Sequence, residues 1–470
     1  MNKMLALTCG FVFVLFLSTS ILLYINNVQN EPYMDEIFHI PQAKQYCAYN
    51  FSSWDPMITT LPGLYLSAIS LLQPLASLQA VSLVDTCTIF NLRLINVVFA
   101  SGNFILLFLL DSKLNGNQKE QRKGKSHNIL HALVLVLFPV LYFFTWMFYT
   151  DHGSAFFTLL MYLCCLNGKH GMASLSGIAA ILFRQTNVIW LVFCTGLAKA
   201  QVLEEQLALD KKVRGNINNM KDTEVIKLVF KTTFSSVSRT MSILTAILKR
   251  TFWYLCIILG FVVFVFVNKG IVVGDRSHHE ASYNFPQLFY FLLVSFAFSF
   301  VHLIHPKNVK RFLIFIVKNS LMVLAFTIVA WYLIRKFTYE HIYLLSDNRH
   351  YTFYFWARIF KRHEMARYAL IPVYLYSLYQ FYSSTLQRGL LWRICYVVCV
   401  FASLVPHSLL EFRYFIIPFY VLRLNMSPPC TKLLVVELLI YVLINAATIF
   451  MFVERPFYWP DVKTAQRFMW

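Results

Sequence analysis

The sequence predicts an all-α polytopic membrane protein, and three observations carry that prediction. Hydrophobic residues make up 58% of the 470-residue chain and charged residues only 13%, too little charge to cover the surface of a soluble protein of this size. Apolar stretches about as long as a bilayer-spanning helix recur from end to end, giving a mean hydropathy of +0.58. Those stretches are continuous, whereas a transmembrane barrel shows short alternating strands. Residues 1–470 are therefore read as a single multi-pass domain.

The net charge of +19 has two readings, a nucleic-acid partner or the membrane. Lys and Arg gather in a few loops, as the positive-inside rule requires, and no nucleic acid is needed to explain them. The ten cysteines show no CxxC pair and no zinc spacing. Most lie inside apolar runs as small core residues. Cys47 and Cys87 differ, because both flank one polar stretch.

Leu5 to Ile25 is the first apolar run. It is long for the core of a signal peptide and lacks a small-residue cleavage site, so an uncleaved first span is expected. Lys3 precedes it, and Glu31, Asp35 and Glu36 follow, which puts the N-terminus in the cytosol and the acidic motif outside it. Residues 31–89 are moderately apolar and broken by Pro41, Pro56, Pro62 and Pro74. They read as interfacial helices and loops on the non-cytosolic face. A second span, about Leu92 to Leu110, returns to the basic "DSKLNGNQKEQRKGKSHN". Ile129 to Phe148 crosses out to "YTDHGS", and Ala155 to Leu166 crosses back.

Two half-length runs then meet at "FRQTN", Phe183 to Asn187. A broken pair lining a cavity suits Arg184 better than one long span burying it. Residues 199–250 form the longest hydrophilic loop, with about twice as many Lys and Arg as acids, and are expected in the cytosol. Further spans are expected at 252–267, 288–304, 312–334, 368–382, 390–404 and 433–453, with a short run ending near Leu422. The total is about twelve to thirteen spans.

The polar clusters share one side. The acidic motif, YTDHGS, FRQTN, GDRSHHE, SDNRHY and PHSLLEFR all fall on the non-cytosolic face, and the cytosolic loops are plain and basic. This asymmetry describes a site assembled from several loops at one membrane surface. A transporter, the rival from another class, would place ionisable groups near mid-membrane along its access routes.

Asp35 and Glu36 are adjacent, so on a helix their side chains diverge by about 100° and only one faces a given substrate atom. A carboxylate there suits general-base work on a hydroxyl, or simple N-capping. Asp151 of YTDHGS is the reserve carboxylate on the same face. Trp54 of "WDPMITT" suits a sugar face or the membrane interface. Arg184, Arg276, Arg349, His350 and Arg413 offer cationic donors for a phosphate, against the positive-inside bias. His278 and His279 lack the i, i+4 spacing of a helical metal site, so no metal is expected. No P-loop, GxSxG, GxGxxG or DxD signature appears, so an enzyme here uses a donor that is not obviously a nucleotide.

The motifs "MDEIFHIPQAKQYC", "WDPMITTLPGLYL", "LFRQTNVIW", "VVGDRSHHEA", "SDNRHYTFYFW", "LLEFRYFIIPF" and "RFMW" resemble the eukaryotic dolichyl-phosphate-glucose-dependent α-1,2-glucosyltransferases. The resemblance spans nearly the whole chain except residues 199–250. It implies the GT-C fold and residence in the endoplasmic reticulum membrane with a lumenal site. The implied donor is β-linked dolichyl phosphate glucose, and the implied acceptor is the diglucosylated high-mannose oligosaccharide on dolichyl diphosphate. An α product from a β donor implies inversion by one displacement with one base, matched here by Asp35, with Glu36 orienting it or binding acceptor hydroxyls. His39, Trp54 and Asp55 of the matching motifs are the acceptor-binding candidates. No cofactor is implied. A related enzyme using dolichyl phosphate mannose, or a noncatalytic scaffold, are the alternatives. With residues 31–89 in the lumen, Cys47 and Cys87 are expected to pair. The sequon at Asn50 falls in the lumen and that at Asn425 near the cytosolic face.

Overall fold

The computed structural model describes residues 3–116, 126–208, 222–276, 282–460 and 462–470. His278 and His279 lie outside the described residues. Helices dominate. Among the described residues, eight helical segments are long and apolar enough to cross a membrane, and a ninth arises if His127–Val136 and Pro139–Trp146, bent by 55°, form one span. The bend falls at Pro139, which has no N–H to continue the helical ladder.

The expected total of about twelve to thirteen also included shorter helices and took Ala366–Leu404 as two spans. Asp151–Leu166 and His170–Phe183 have 16 and 14 residues, and Ile416–Asn425 has 10, against the ~20 that a hydrocarbon core requires. The apolar run Ala366–Leu404 is itself folded back at Gly389, whose φ of +71° only glycine adopts without strain. Tyr374 stacks on Phe289, and Phe401 packs against Phe285, at one end of the helix Pro286–Leu303. Arg388, at the middle of the run, bonds Leu114 and Asn425 at the opposite end of the bundle. The chain therefore goes down and comes back within that run.

Two other boundaries differ from expectation. The span expected at 312–334 is interrupted at Asn319, between an amphipathic helix Pro306–Lys318 and the apolar Ser320–Phe337. Where described, residues 199–250 are mostly helix and not loop. The helix from Val188 runs to Ala208, Asp222–Thr233 is helical, and the next helix starts at Val237 and runs to Asn268. Leu259, Val262 and Phe266 of that last helix stay exposed, as a lipid-facing surface does. The break at Arg184 is observed, with Arg184 extended between the helix ending at Phe183 and the one starting at Val188.

Residues 31–89 fold into the helices Glu36–Cys47, Gly63–Gln79 and Leu83–Thr86 around their own apolar cluster, which includes Ile40, Leu64, Tyr65 and Leu72. Cys47 and Cys87 are joined by a disulfide that closes this unit. The unit docks where Gly63 meets the helix His170–Phe183. A Cβ at Gly63 would lie 2.7 Å from the Leu182 carbonyl carbon, so only glycine permits the approach. After the last long helix, Thr431–Glu454, the chain makes a two-stranded hairpin, β1 Phe457–Trp459 and β2 Val462–Gln466. Met469 then pairs beside His350. Nothing in the apolar pattern foretold this tail.

Candidate active site

The acidic motif splits into two roles. Glu36 is fully buried and its carboxylate accepts from Arg93 through two bonds of 2.9 and 2.6 Å, from the Phe148 N–H at 2.7 Å and from the Tyr33 N–H at 3.1 Å. Arg93 itself sits inside the long helix Ile89–Asn115, so this ion pair ties the motif to the bundle. With every lone pair engaged and no solvent contact, Glu36 reaches neither a base position nor an acceptor hydroxyl. Its placement among the reacting groups is corrected to that of an anchor. The helical divergence of adjacent residues is what separates it from Asp35.

Asp35 faces the other way. Its side chain is 43% exposed, makes no capping bond to its own helix, and opens onto a cavity of about 730 Å³. The preceding residue, Met34, has φ of +56°, a left-handed conformation that a side chain adopts only when the surroundings impose it. The Asp35 N–H donates to the Tyr149 hydroxyl at 3.1 Å, and Tyr149 is held by Asn96, which donates to its carbonyl at 2.8 Å. Asp35 is thus aimed at the cavity by backbone restraint from both sides.

Arginines surround it. Arg413 lies 3.4 Å from Asp35 and 3.6 Å from Asp151, and pairs closely with Glu411. Its guanidinium sits 5.2 and 5.3 Å from the Phe144 and Tyr149 ring centres. Burial alone would lower the Arg413 pKa, but Glu411, Asp151 and Asp35 together hold it well above its ordinary value. Burial would likewise raise Glu411, yet Arg413, Arg184 and His350 keep its carboxyl below the usual range. Arg184 bonds Asp151 at 3.0 Å and Thr150 at 3.1 Å. Asp151 is buried between two arginines and borders only a small void of about 30 Å³, not the large cavity. The structure places this reserve carboxylate behind the arginines it orients.

A third group lines the same cavity. Arg349 makes a two-point pair with Asp347, both contacts 2.8 Å, and lies 4.8 Å from the Trp459 ring centre. His350 donates from Nδ1 to the Trp470 carbonyl at 2.9 Å, and its Nε2 is 3.8 Å from Asp347. His39 also lines the cavity and bonds the Tyr65 hydroxyl at 2.6 Å. Burial lowers its pKa to about 4, although Asp35 opposes this, so His39 is neutral near pH 7.

The structure does not bring every candidate here. Arg276 is exposed and donates to the Lys269 and Asn268 carbonyls at the end of the preceding helix, Val237–Asn268, and does not line the cavity. That removes it from the phosphate-binding group. Trp54 packs on Tyr65 and donates to the Ile58 carbonyl, inside the 31–89 unit. Asp55 accepts from the Met57 N–H in a tight turn. Neither lines the cavity, so the acceptor-binding assignment of Trp54 and Asp55 is corrected to structural support of that loop. Among the described residues, no three His, Cys, Asp or Glu side chains gather as metal ligands.

Glu411, Asp347, Arg93, Tyr149, Trp459 and Trp470 were missed from the sequence. A signal for two of them existed: SDNR and LEFR each carry an acid two residues before the arginine it holds. The other four meet the site only through tertiary contacts.

The chain matches the DIE2/ALG10 family over residues 29–424. It is 43% identical over 476 residues to a rat protein named Dol-P-Glc:Glc(2)Man(9)GlcNAc(2)-PP-Dol alpha-1,2-glucosyltransferase, covering 99% of this chain and 98% of the relative. Proteins of the same name from human and Drosophila melanogaster are 42% and 34% identical, covering 99% and 93% of this chain and 98% and 93% of theirs. No solved structure matches.

Proposed function

This chain belongs to the DIE2/ALG10 family, and we propose that it transfers glucose from dolichyl phosphate glucose to the Glc(2)Man(9)GlcNAc(2) oligosaccharide on dolichyl diphosphate. The product carries a terminal α-1,2-linked glucose, as the relatives' name describes. The reaction takes place on the lumenal side of the endoplasmic reticulum membrane, where both polyprenyl-tethered substrates present their polar ends.

The observation that carries the reading is the shared cavity. Asp35, an accessible carboxylate, lines it together with Arg349 and His350. A volume of about 730 Å³ falls within the ~300–1,000 Å³ of small-molecule sites. Asp35 removes the proton from the acceptor 2-hydroxyl as that oxygen attacks the anomeric carbon. Dolichyl phosphate departs from the opposite face of the sugar, so a β donor yields an α product in one displacement. Charge grows on the departing phosphate, and Arg349, with His350 beside it, is the group to receive it, with Arg413 and Arg184 fixing the Asp35 side.

The pairing of each arginine has a consequence for that charge. Arg184, Arg349 and Arg413 all hold a carboxylate before substrate arrives. They are therefore oriented in advance, and their remaining N–H groups need little reorganisation to meet a phosphate. Among the described residues, the Asp35 carboxylate has one long contact, to Arg413, which leaves its second oxygen for substrate.

The test is transfer by purified protein in proteoliposomes, with dolichyl phosphate glucose or dolichyl phosphate mannose as donor and the diglucosylated lipid-linked oligosaccharide as acceptor. One added α-1,2 glucose is the expected product. Equal use of mannose, or a lengthened glycan with another linkage, would refute the reading.

A further inference from the structure

The tail beyond the last long helix touches all three polar motifs of the cavity. Arg467 anchors it, donating to the Phe452 and Val453 carbonyls at 2.7 and 3.1 Å, which a helix end leaves without intrahelical partners. The Arg467 backbone then clasps Tyr33, whose hydroxyl accepts from its N–H and donates to its carbonyl, both at 2.8 Å. Tyr33 stands two residues before Asp35. From there the tail runs beside the SDNRHY loop. The Met469 N–H donates to the Arg349 carbonyl at 2.9 Å, and the Tyr351 N–H donates to the Met469 carbonyl at 3.2 Å.

Side chains complete the contact. Trp459 donates to Asn348 at 2.9 Å while its ring faces the Arg349 guanidinium. Gln466 accepts from Arg349 at 3.2 Å. The Trp470 ring packs on Tyr351, centroids 5.1 Å apart, and on Phe412, the neighbour of Arg413, at 5.8 Å. The Trp470 carbonyl accepts only, so the His350 Nδ1 facing it carries a proton. The other ring nitrogen, Nε2, lies 3.8 Å from Asp347.

We propose that residues 457–460 and 462–470 form a strap that sets the spacing between Asp35 and the Arg349–His350 pair, with Trp459 and Trp470 as positioning residues of the donor subsite. The proposal rests on the reading of the cavity given above. The physical reason is leverage. Arg349 and His350 lie on a short loop between the helices Ile342–Ser346 and Tyr351–Phe355, and a base and a leaving-group site must be held within tenths of an ångström for attack in line. The strap supplies that restraint by joining the loop to the end of the first helix and the end of the last.

Three variants test it in proteoliposomes: the chain ended at Met469, Trp470→Ala and Trp459→Ala. The KM values for dolichyl phosphate glucose and for the oligosaccharide acceptor are measured separately, with kcat and thermal midpoint. Loosening the strap is expected to lower kcat roughly 10- to 100-fold, the scale of a misplacement near 1 Å. Donor KM rises with it and acceptor KM stays within about twofold. An active wild type whose variants keep donor KM and kcat overturns the strap alone. Equal rises in donor and acceptor KM also overturn it, since they describe general loosening. If the truncated chain does not accumulate, the two alanine variants decide by the same criteria. A wild type inactive with this donor overturns the strap and the functional reading together.

Discussion

Asp35→Asn separates catalysis from folding more cleanly than any other change in this chain. The substitution keeps the shape and removes the proton acceptor. The Asp35 carboxylate is 43% exposed and its one ion pair, to Arg413, is 3.4 Å long. Such a pair is worth about 0–1 kcal/mol, and Arg413 keeps Glu411 and Asp151 when it is lost. Membrane insertion and thermal midpoint should therefore hardly change. Turnover should fall by roughly 10²–10⁴, the usual worth of a positioned base, or about 3–5 kcal/mol in the transition state. Glu36→Gln, one residue away, should do the reverse. It leaves the buried Arg93 without its counter-charge, which costs about 3–5 kcal/mol of stability, so protein is lost before kinetics can be read. The assay is single-turnover glucose transfer on matched amounts of reconstituted protein, with the midpoint measured alongside. Near-normal turnover in Asp35→Asn, or a well-folded and abundant Glu36→Gln, would refute the division of roles between the two acids.

Arg349→Ala should raise the KM for dolichyl phosphate glucose and lower kcat by roughly 10²–10³, and Arg349→Lys should rescue little because the two-point pair with Asp347 needs a planar guanidinium; a change in acceptor KM alone would move the donor phosphate to Arg184 or Arg413. For His39, the folded pKa of about 4 lies below its ordinary 6.5, so the unfolded chain binds a proton between these values and the folded chain does not. Stability should accordingly fall as pH drops from about 6.5 to about 4, and His39→Gln should flatten that slope in a melting series. Asn50 is exposed on the acid-motif side, whereas Asn425 is buried and bonded to Tyr162. Any N-glycan should therefore vanish in Asn50→Gln, and one that persists would overturn the assigned orientation. Cys47→Ser should cost about 2–5 kcal/mol through loss of the disulfide that closes the 31–89 unit, seen as a lowered midpoint with donor KM unchanged.

Much of the architecture was legible because membrane burial writes itself into composition. The first and last long helices, the break at Arg184 and the helical 31–89 unit all followed from apolar length, prolines and charge bias. The span count was less legible. Length is a weak guide where short helices such as Asp151–Leu166 pack inside the bundle and do not meet lipid alone. The helical character of the described residues within 199–250 was hidden because charge bias reports the side of the membrane and not the backbone conformation.

At the site, the sequence by itself determined which motifs share a face and that Asp35 and Glu36 must point apart, since those follow from topology and the helical repeat. Only the tertiary structure decided which of the two faces the cavity. Arg93, 57 residues further on, claims Glu36, and no local pattern encodes a partner at that distance. The same holds for Arg276, which satisfies the end of the preceding helix, and for Trp54 and Asp55, which hold their loop. It holds equally for Trp459 and Trp470, which reach the Arg349 loop from more than a hundred residues away. A side chain's type sets what it can bind. Which partner reaches it first is set by packing among segments far apart in the chain, because a buried charge must be neutralised wherever the fold brings a counter-charge to it.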